Sequence, residues 1–182
     1  MGKIFHTVTR LFVRYVLCGG DNVRYLRRQG ARIGADCTIA SSAVRSGHEA
    51  WLIELGNRVK LAHGVKLVTH DGSSRVFRDR VPRSSPFGNR FGTIVIRDNC
   101  VVGMDSIILF DVVIGPNSIV GAGSVVTRDV PPNTVVAGVP ARVICTLDEY
   151  IEKYKAKMIP TQTQDRATLR RELTLQLWGE EG

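Results

Sequence analysis

Aliphatic residues recur every six positions at Ile96, Val102, Ile108, Ile114, Val120 and Val126. Two residues before each later member stands a small or modest side chain, at Cys100, Ser106, Val112, Ser118 and Ser124. A second aliphatic fills the gap between them, at Val101, Ile107, Val113, Ile119 and Val125. A helix would repeat near 3.6 residues and a hairpin strand would alternate throughout, and this pattern does neither. It is a short strand followed by a turn, repeated, which predicts a parallel β-helix built from hexapeptides. Strand alternation sends each register aliphatic and the small residue before it inward together. Gly103, Gly115 and Gly121, with Asn99, Asp105, Asp111, Asn117 and Asp129, fall between the strands and tolerate the positive φ of a sharp corner. Three corners close a coil, so Ile96 is expected to stack on Ile114, Val102 on Val120 and Ile108 on Val126. The middle aliphatics then face outward. Rows of exposed Val and Ile mark interfaces, which predicts an oligomer.

The same hexads begin at Ile33, break over residues 44–53 (which hold His48 and Trp51), and resume at Leu55, Leu61 and Leu67. They break again over residues 71–92, too long a stretch for a corner and basic through Arg75, Arg78, Arg80, Arg83 and Arg90. Loops of that length in compact domains are functional or disordered. Residues 3–17 predict a basic amphipathic helix ended by Gly19 and Gly20, and Asp21 predicts the N-cap of a short helix carrying Arg24, Arg27 and Arg28. This arm reads as a cap over the open end of the β-helix or as a contact with an anionic membrane surface. Arg10 and Arg14 interrupt its apolar run, so it is expected neither to span a membrane nor to act as a signal segment. Residues 147–158 and 165–178 predict two surface helices. The expected organisation is a helical cap over 1–30, a β-helix over 31–145 with an inserted loop at 71–92, and a helical extension over 146–182.

A length of 182 residues with 43% hydrophobic content bounds one ordinary domain. The net charge of +8 favours anionic partners, of which a phosphorylated cofactor is one. Nucleic acid is disfavoured because no ladder of aromatic and basic residues is present for base stacking. Cys18, Cys37, Cys100 and Cys145 show no paired spacing and read as reduced cysteines of a cytoplasmic protein.

The run VGAGSVVTRDVPPNTVVAGVPARVI, Val120 to Ile144, resembles the closing segment of the hexapeptide-repeat acyltransferases, above all the maltose and galactoside O-acetyltransferases and their polysaccharide- and antibiotic-modifying cousins. The resemblance extends over Gly34–Ile144 and implies an all-β core, a left-handed parallel β-helix with short terminal α-helices, acting as a homotrimer on acetyl-CoA. It makes His70, at the edge of the long loop, the general base that deprotonates the acceptor, a role imidazole suits by its pKa. Against that stands a structural histidine at a loop corner, with His63 as the rival base. Position by position, the resemblance assigns Gly103 to the thioester, Ala122 to the pantetheine arm, Thr127 and Arg128 to the adenosine and phosphate end, and Arg142 to the 3′-phosphate. Val102 and Met104 depart from the family's usual tryptophan and serine. Asp71 is the candidate acceptor contact or orienter of His70, though Asp before Gly is also an ordinary turn pair. No metal is expected, because His63 and His70 lack the close histidine spacing of the carbonic anhydrases that share this fold.

The leading expectation is an acetyl-CoA-dependent O-acetyltransferase acting on a sugar hydroxyl in surface-polysaccharide or lipopolysaccharide assembly, with the inner face of the membrane as a candidate place of work. The alternatives are N-acetylation of a nucleotide-linked amino sugar, acetylation of a xenobiotic, and a non-catalytic β-helix scaffold.

Overall fold

The computed structural model describes residues 17–40, 49–80, 82, 88–159 and 165–179. His6, His48 and, apart from Leu17, the helix expected over 3–17 with its membrane contact lie outside the described residues. The first described helix, α1 (Asn22–Arg28), is capped as its sequence requires: the Asp21 carboxylate accepts from the backbone of Val23 and Arg24. Arg27 then donates to the carbonyls of Ile33 and Gly34, tying α1 to the first coil.

Short strands follow, three to a coil, most of two or three residues. The first face stacks β1 (Arg32–Ile33), β3 (Ile53–Leu55), β8 (Ile94–Ile96) and β11 (Val112–Ile114). The second stacks β2 (Thr38–Ile39), β4 (Lys60–Leu61), β9 (Val101–Val102), β12 (Ile119–Val120) and β14 (Thr134–Gly138). The third stacks β5 (Lys66–Leu67), β10 (Ile107–Ile108) and β13 (Val125–Val126). Every pairing within these stacks is parallel, and Ile96 meets Ile114, Val102 meets Val120 and Ile108 meets Val126, as the hexad pattern requires. The expected all-β core, a parallel β-helix of hexapeptide repeats, is borne out. β15 (Ala141–Thr146) folds back antiparallel on β14 and closes the second face.

The two breaks in the pattern are now measurable as register. Successive coils are 18 residues apart in the regular part, as Asn99 on Asn117 shows. The first coil is 22 residues long, as from Ala35 to Asn57, and the coil carrying the long loop is 41, as from Asn57 to Asp98. The loop begins and ends as a ribbon: β6 (His70–Asp71) pairs antiparallel with β7 (Arg90–Phe91).

The interior is a dry aliphatic stack. Ile96, Val102, Ile108 and Ile114 are fully buried, with Val120 and Val126 almost so. The small inward residues carry a second duty. Cys100, Ser106 and Ser118 donate to the corner carbonyls of Gly115, Gly121 and Pro131, which strand pairing leaves unsatisfied. The corners divide their labour differently from expectation. Asn99, Asp105, Asp111 and Asn117 adopt φ near +56°, but Gly103 and Gly115 do not. A side chain at Gly103 or Gly115 would sit 2.5 Å from a backbone nitrogen of the next coil, so glycine is required there for close approach. Ile108→Ala is expected to cost about 2–5 kcal/mol in denaturant unfolding, because stacked coils on both sides cannot collapse into the void.

The outward aliphatics are visible as expected: Val101 is 39% exposed, and Val95, Ile107, Val113, Ile119 and Val125 are half-buried. α2 (Leu147–Tyr154) follows β15. The chain divides into two compact units, residues 1–150 and 151–182, the second holding α3 (Arg166–Trp178), capped by Asp165 at its start and by left-handed Gly179 at its end. Among the described residues no helix is long and apolar enough to cross a membrane.

Candidate active site

His70 stands where the chain leaves the third face of the prism to enter the ribbon. Buried Thr69 precedes it, and the carbonyl of Thr69 accepts from Gly92 at 3.0 Å, so both strands of the ribbon are fixed at their foot. His70 Nδ1 lies 3.0 Å from Glu49 Oε2, and the same oxygen accepts from Thr69 Oγ1 at 2.8 Å. The Glu49 side chain is only 13% exposed and that of His70 35%. Burial of Glu49 opposes its ionisation, but the hydrogen bonds from Thr69 and His70 and the nearby imidazole outweigh this and hold the carboxyl below its ordinary range. An ionised carboxylate only accepts, so Nδ1–H is the donor in this bond, and in the neutral imidazole Nε2 is then the acceptor. A half-exposed imidazole with a fixed tautomer and a carboxylate behind it is built to take a proton.

Glu49 is the member of this hydrogen-bonded cluster that the sequence pattern did not single out. It lies in the irregular stretch 44–53, and 21 residues separate it from His70. Its signal is register. In a 22-residue first coil, Glu49 is one coil below the His70–Asp71 pair.

Asp71 does not orient His70. Its carboxylate accepts from Ser73 N and Ser73 Oγ, both at 2.7 Å. The Ser73 hydroxyl and backbone N–H, and then Arg90, keep Asp71 below the usual carboxylate range. Phe91, opposite His70 in the ribbon, packs against the imidazole with ring centroids 5.5 Å apart. His63 lies elsewhere, exposed at a corner between the second and third faces, its carbonyl accepting from Asp105.

The residues expected to hold the donor form two groups. Gly103 and Ala122 touch, at the edge between the second and third faces, where the tight approach leaves room for nothing beyond a hydrogen on Gly103. Thr127 follows β13 as Val68 follows β5, so Thr127 and Arg128 share an edge with His70, two coils on. Coils stack at about 4.8 Å, which puts Thr127 about 10 Å along that edge from Val68. Arg128 and Arg142 line one open cleft of about 150 Å³ together with Ala141 and Val143. Two guanidinium forks at one cleft suit a phosphate-bearing ligand.

The family model described as bacterial transferase hexapeptide (six repeats) matches residues 93–128. Protein CapG of Staphylococcus aureus is 42% identical over 129 residues, covering 70% of this chain and 73% of that protein. The chain belongs to the hexapeptide-repeat acyltransferase family. The galactoside O-acetyltransferase of Escherichia coli is 45% identical over 69 residues, 35% of this chain and 34% of that enzyme. This hexapeptide acyltransferase thus spans most of the first relative but about a third of the second. A hexapeptide-repeat acetyltransferase of Vibrio cholerae, solved with acetyl coenzyme A, shares the fold at TM-score 0.52 and 23% identity, over 76% of this chain and 82% of that one.

Proposed function

We propose that this hexapeptide acyltransferase moves the acetyl group of acetyl-CoA to a sugar hydroxyl, with His70 as general base and Glu49 as its orienter. The observation that carries the reading is the Thr69–Glu49–His70 hydrogen-bond set, which engages Nδ1 and, among the described residues, leaves Nε2 free at a half-exposed surface. His70 Nε2 takes the acceptor's proton as the hydroxyl oxygen attacks the thioester carbonyl. When the C–S bond breaks, the imidazolium returns that proton to the departing thiolate. The step is proton-balanced and leaves His70 neutral for the next turnover. Glu49 stabilises the imidazolium between the two transfers.

Arg128 and Arg142 hold the phosphates, Thr127 the adenosine end, Ala122 the pantetheine arm and Gly103 the thioester. A homotrimer is supported by the outward Val and Ile rows, which an isolated chain would leave in water. The E. coli relative is a galactoside O-acetyltransferase, which supports a sugar acceptor, and the resemblance to polysaccharide-modifying enzymes supports a role in surface-polysaccharide or lipopolysaccharide assembly.

The test is thiol release from acetyl-CoA with simple glycosides, amino sugars and antibiotics as acceptors. Turnover confined to the sugars supports the proposal, and turnover confined to antibiotics contradicts it. The donor assignment has its own test. Arg142→Ala is expected to raise KM for acetyl-CoA about tenfold or more, as the loss of a charged hydrogen bond does. KM for acetyl-dephospho-CoA, which lacks the 3′-phosphate, is expected to stay unchanged. Equal effects on both donors would remove Arg142 from the 3′-phosphate.

A further inference from the structure

We infer that Phe91 is the platform on which a pyranose acceptor lays its C–H face, so that a ring hydroxyl is delivered to His70; the inference rests on the sugar acceptor proposed above. Four observations lead to it. Phe91 is directly opposite His70 in the antiparallel ribbon, so the two side chains share a face. Their rings are in contact at 5.5 Å but tilted by 43°, so the phenyl is not laid flat on the imidazole. Phe91 is 51% exposed, so the ring does not serve the core.

Phe91 is also held in place from both sides. Gly92 N–H bonds to the Thr69 carbonyl at 3.0 Å. Arg90 reaches across to the next coil, 3.1 Å from the Asp111 carboxylate and 4.6 Å above the Phe110 ring. Alternation places Arg90 and Asp71 on the other side of the ribbon, so the clamp fixes the strand without covering the phenyl face. A fixed, open aromatic face beside a general base is chemically specific. A pyranose carries its polarity on its rim and presents C–H groups on its flat faces. Those C–H groups are weakly positive and match the negative face of a π system. Stacking there puts rim hydroxyls at the edge of the ring, where His70 stands.

The experiment compares methyl galactopyranoside and methyl glucopyranoside with glycerol, which has hydroxyls but no ring face. Phe91→Ala is expected to raise KM for the better pyranoside about tenfold. KM for acetyl-CoA and the rate with glycerol are expected to stay within about twofold, and Phe91→Trp to restore the pyranoside KM. An unchanged pyranoside KM overturns the platform. So does an equal loss with glycerol and pyranoside, accompanied by a displaced pH–rate profile, because Phe91 would then act only by positioning His70. Failure of wild type to use either pyranoside overturns it as well. His70→Ala, run alongside, separates the two claims. Full activity in that variant sinks the reaction reading, whereas an unchanged pyranoside KM in Phe91→Ala beside an inactive His70→Ala sinks the platform alone.

Discussion

His70→Ala is expected to lower turnover of acetyl-CoA with a sugar acceptor by about 10²–10⁴-fold, the usual worth of a positioned general base. KM for acetyl-CoA should change little, because the residues proposed to hold the donor lie on other coils, Thr127 and Arg128 two coils along the same edge and Gly103 and Ala122 on the neighbouring edge. Unfolding should also change little, since the His70 side chain is 35% exposed and sits outside the aliphatic stack. His63→Ala, at an exposed corner away from the ribbon, should keep its rate within a few-fold. Steady-state thiol release for the two variants checks the pair. A reversal of their order would move the base to the other edge of the β-helix.

Glu49→Gln carries the second large effect. The change keeps the shape and removes the charge. In the serine-protease triad, loss of the orienting carboxylate costs about 10⁴-fold, which bounds the effect from above. Here a Gln carbonyl can still accept from Nδ1, so kcat is expected to fall by about 10–10²-fold, with KM for acetyl-CoA unchanged. A pH signature goes with it. The folded-state pKa of Glu49 is depressed below its ordinary 4.5, through bonds from Thr69 and His70 that win against burial. A depressed carboxyl stabilises the fold above its unfolded value, and that contribution is lost as pH falls through the folded value. Wild type should therefore be more stable than Glu49→Gln near neutral pH, and the gap should shrink as the solution is acidified below about pH 4.5. Thermal unfolding of both proteins across that range measures it. A gap that widens on acidification would show that Glu49 is not held ionised by these bonds.

The β-helix was legible because one coil is a fixed arithmetic. Every inward position from Ile96 to Val126 repeats, and the pairs named from that repeat are the pairs the coils form. Asp21 as a cap and the helices near 147 and 165 were legible for the same reason: each depends on residues within one or two turns. The site was only half visible. His70 stands at a pattern break that the sequence displays, and resemblance gave it a role. Glu49 was hidden because its contact depends on the length of an irregular coil, which hexads cannot count across. Phe91 was hidden for a similar reason. Its neighbour is fixed by antiparallel pairing across a long insertion, and no local period reports that register. The glycines illustrate a subtler gap. Gly103 and Gly115 were readable as turn residues, but only the stacked coil shows that they admit a neighbouring backbone and adopt no left-handed φ.

A base-assisted transfer of acetyl to a hydroxyl oxygen leaves its signature in the product. Wild type and His70→Ala would be incubated with acetyl-CoA and a methyl glycoside, and the acetylated sugar followed by mass spectrometry before and after mild alkali. The expected product is an acetyl ester that alkali removes, formed by wild type and nearly absent with His70→Ala. An alkali-stable acetyl amide formed only on amino sugars, or ester formation that survives loss of the imidazole, would contradict it.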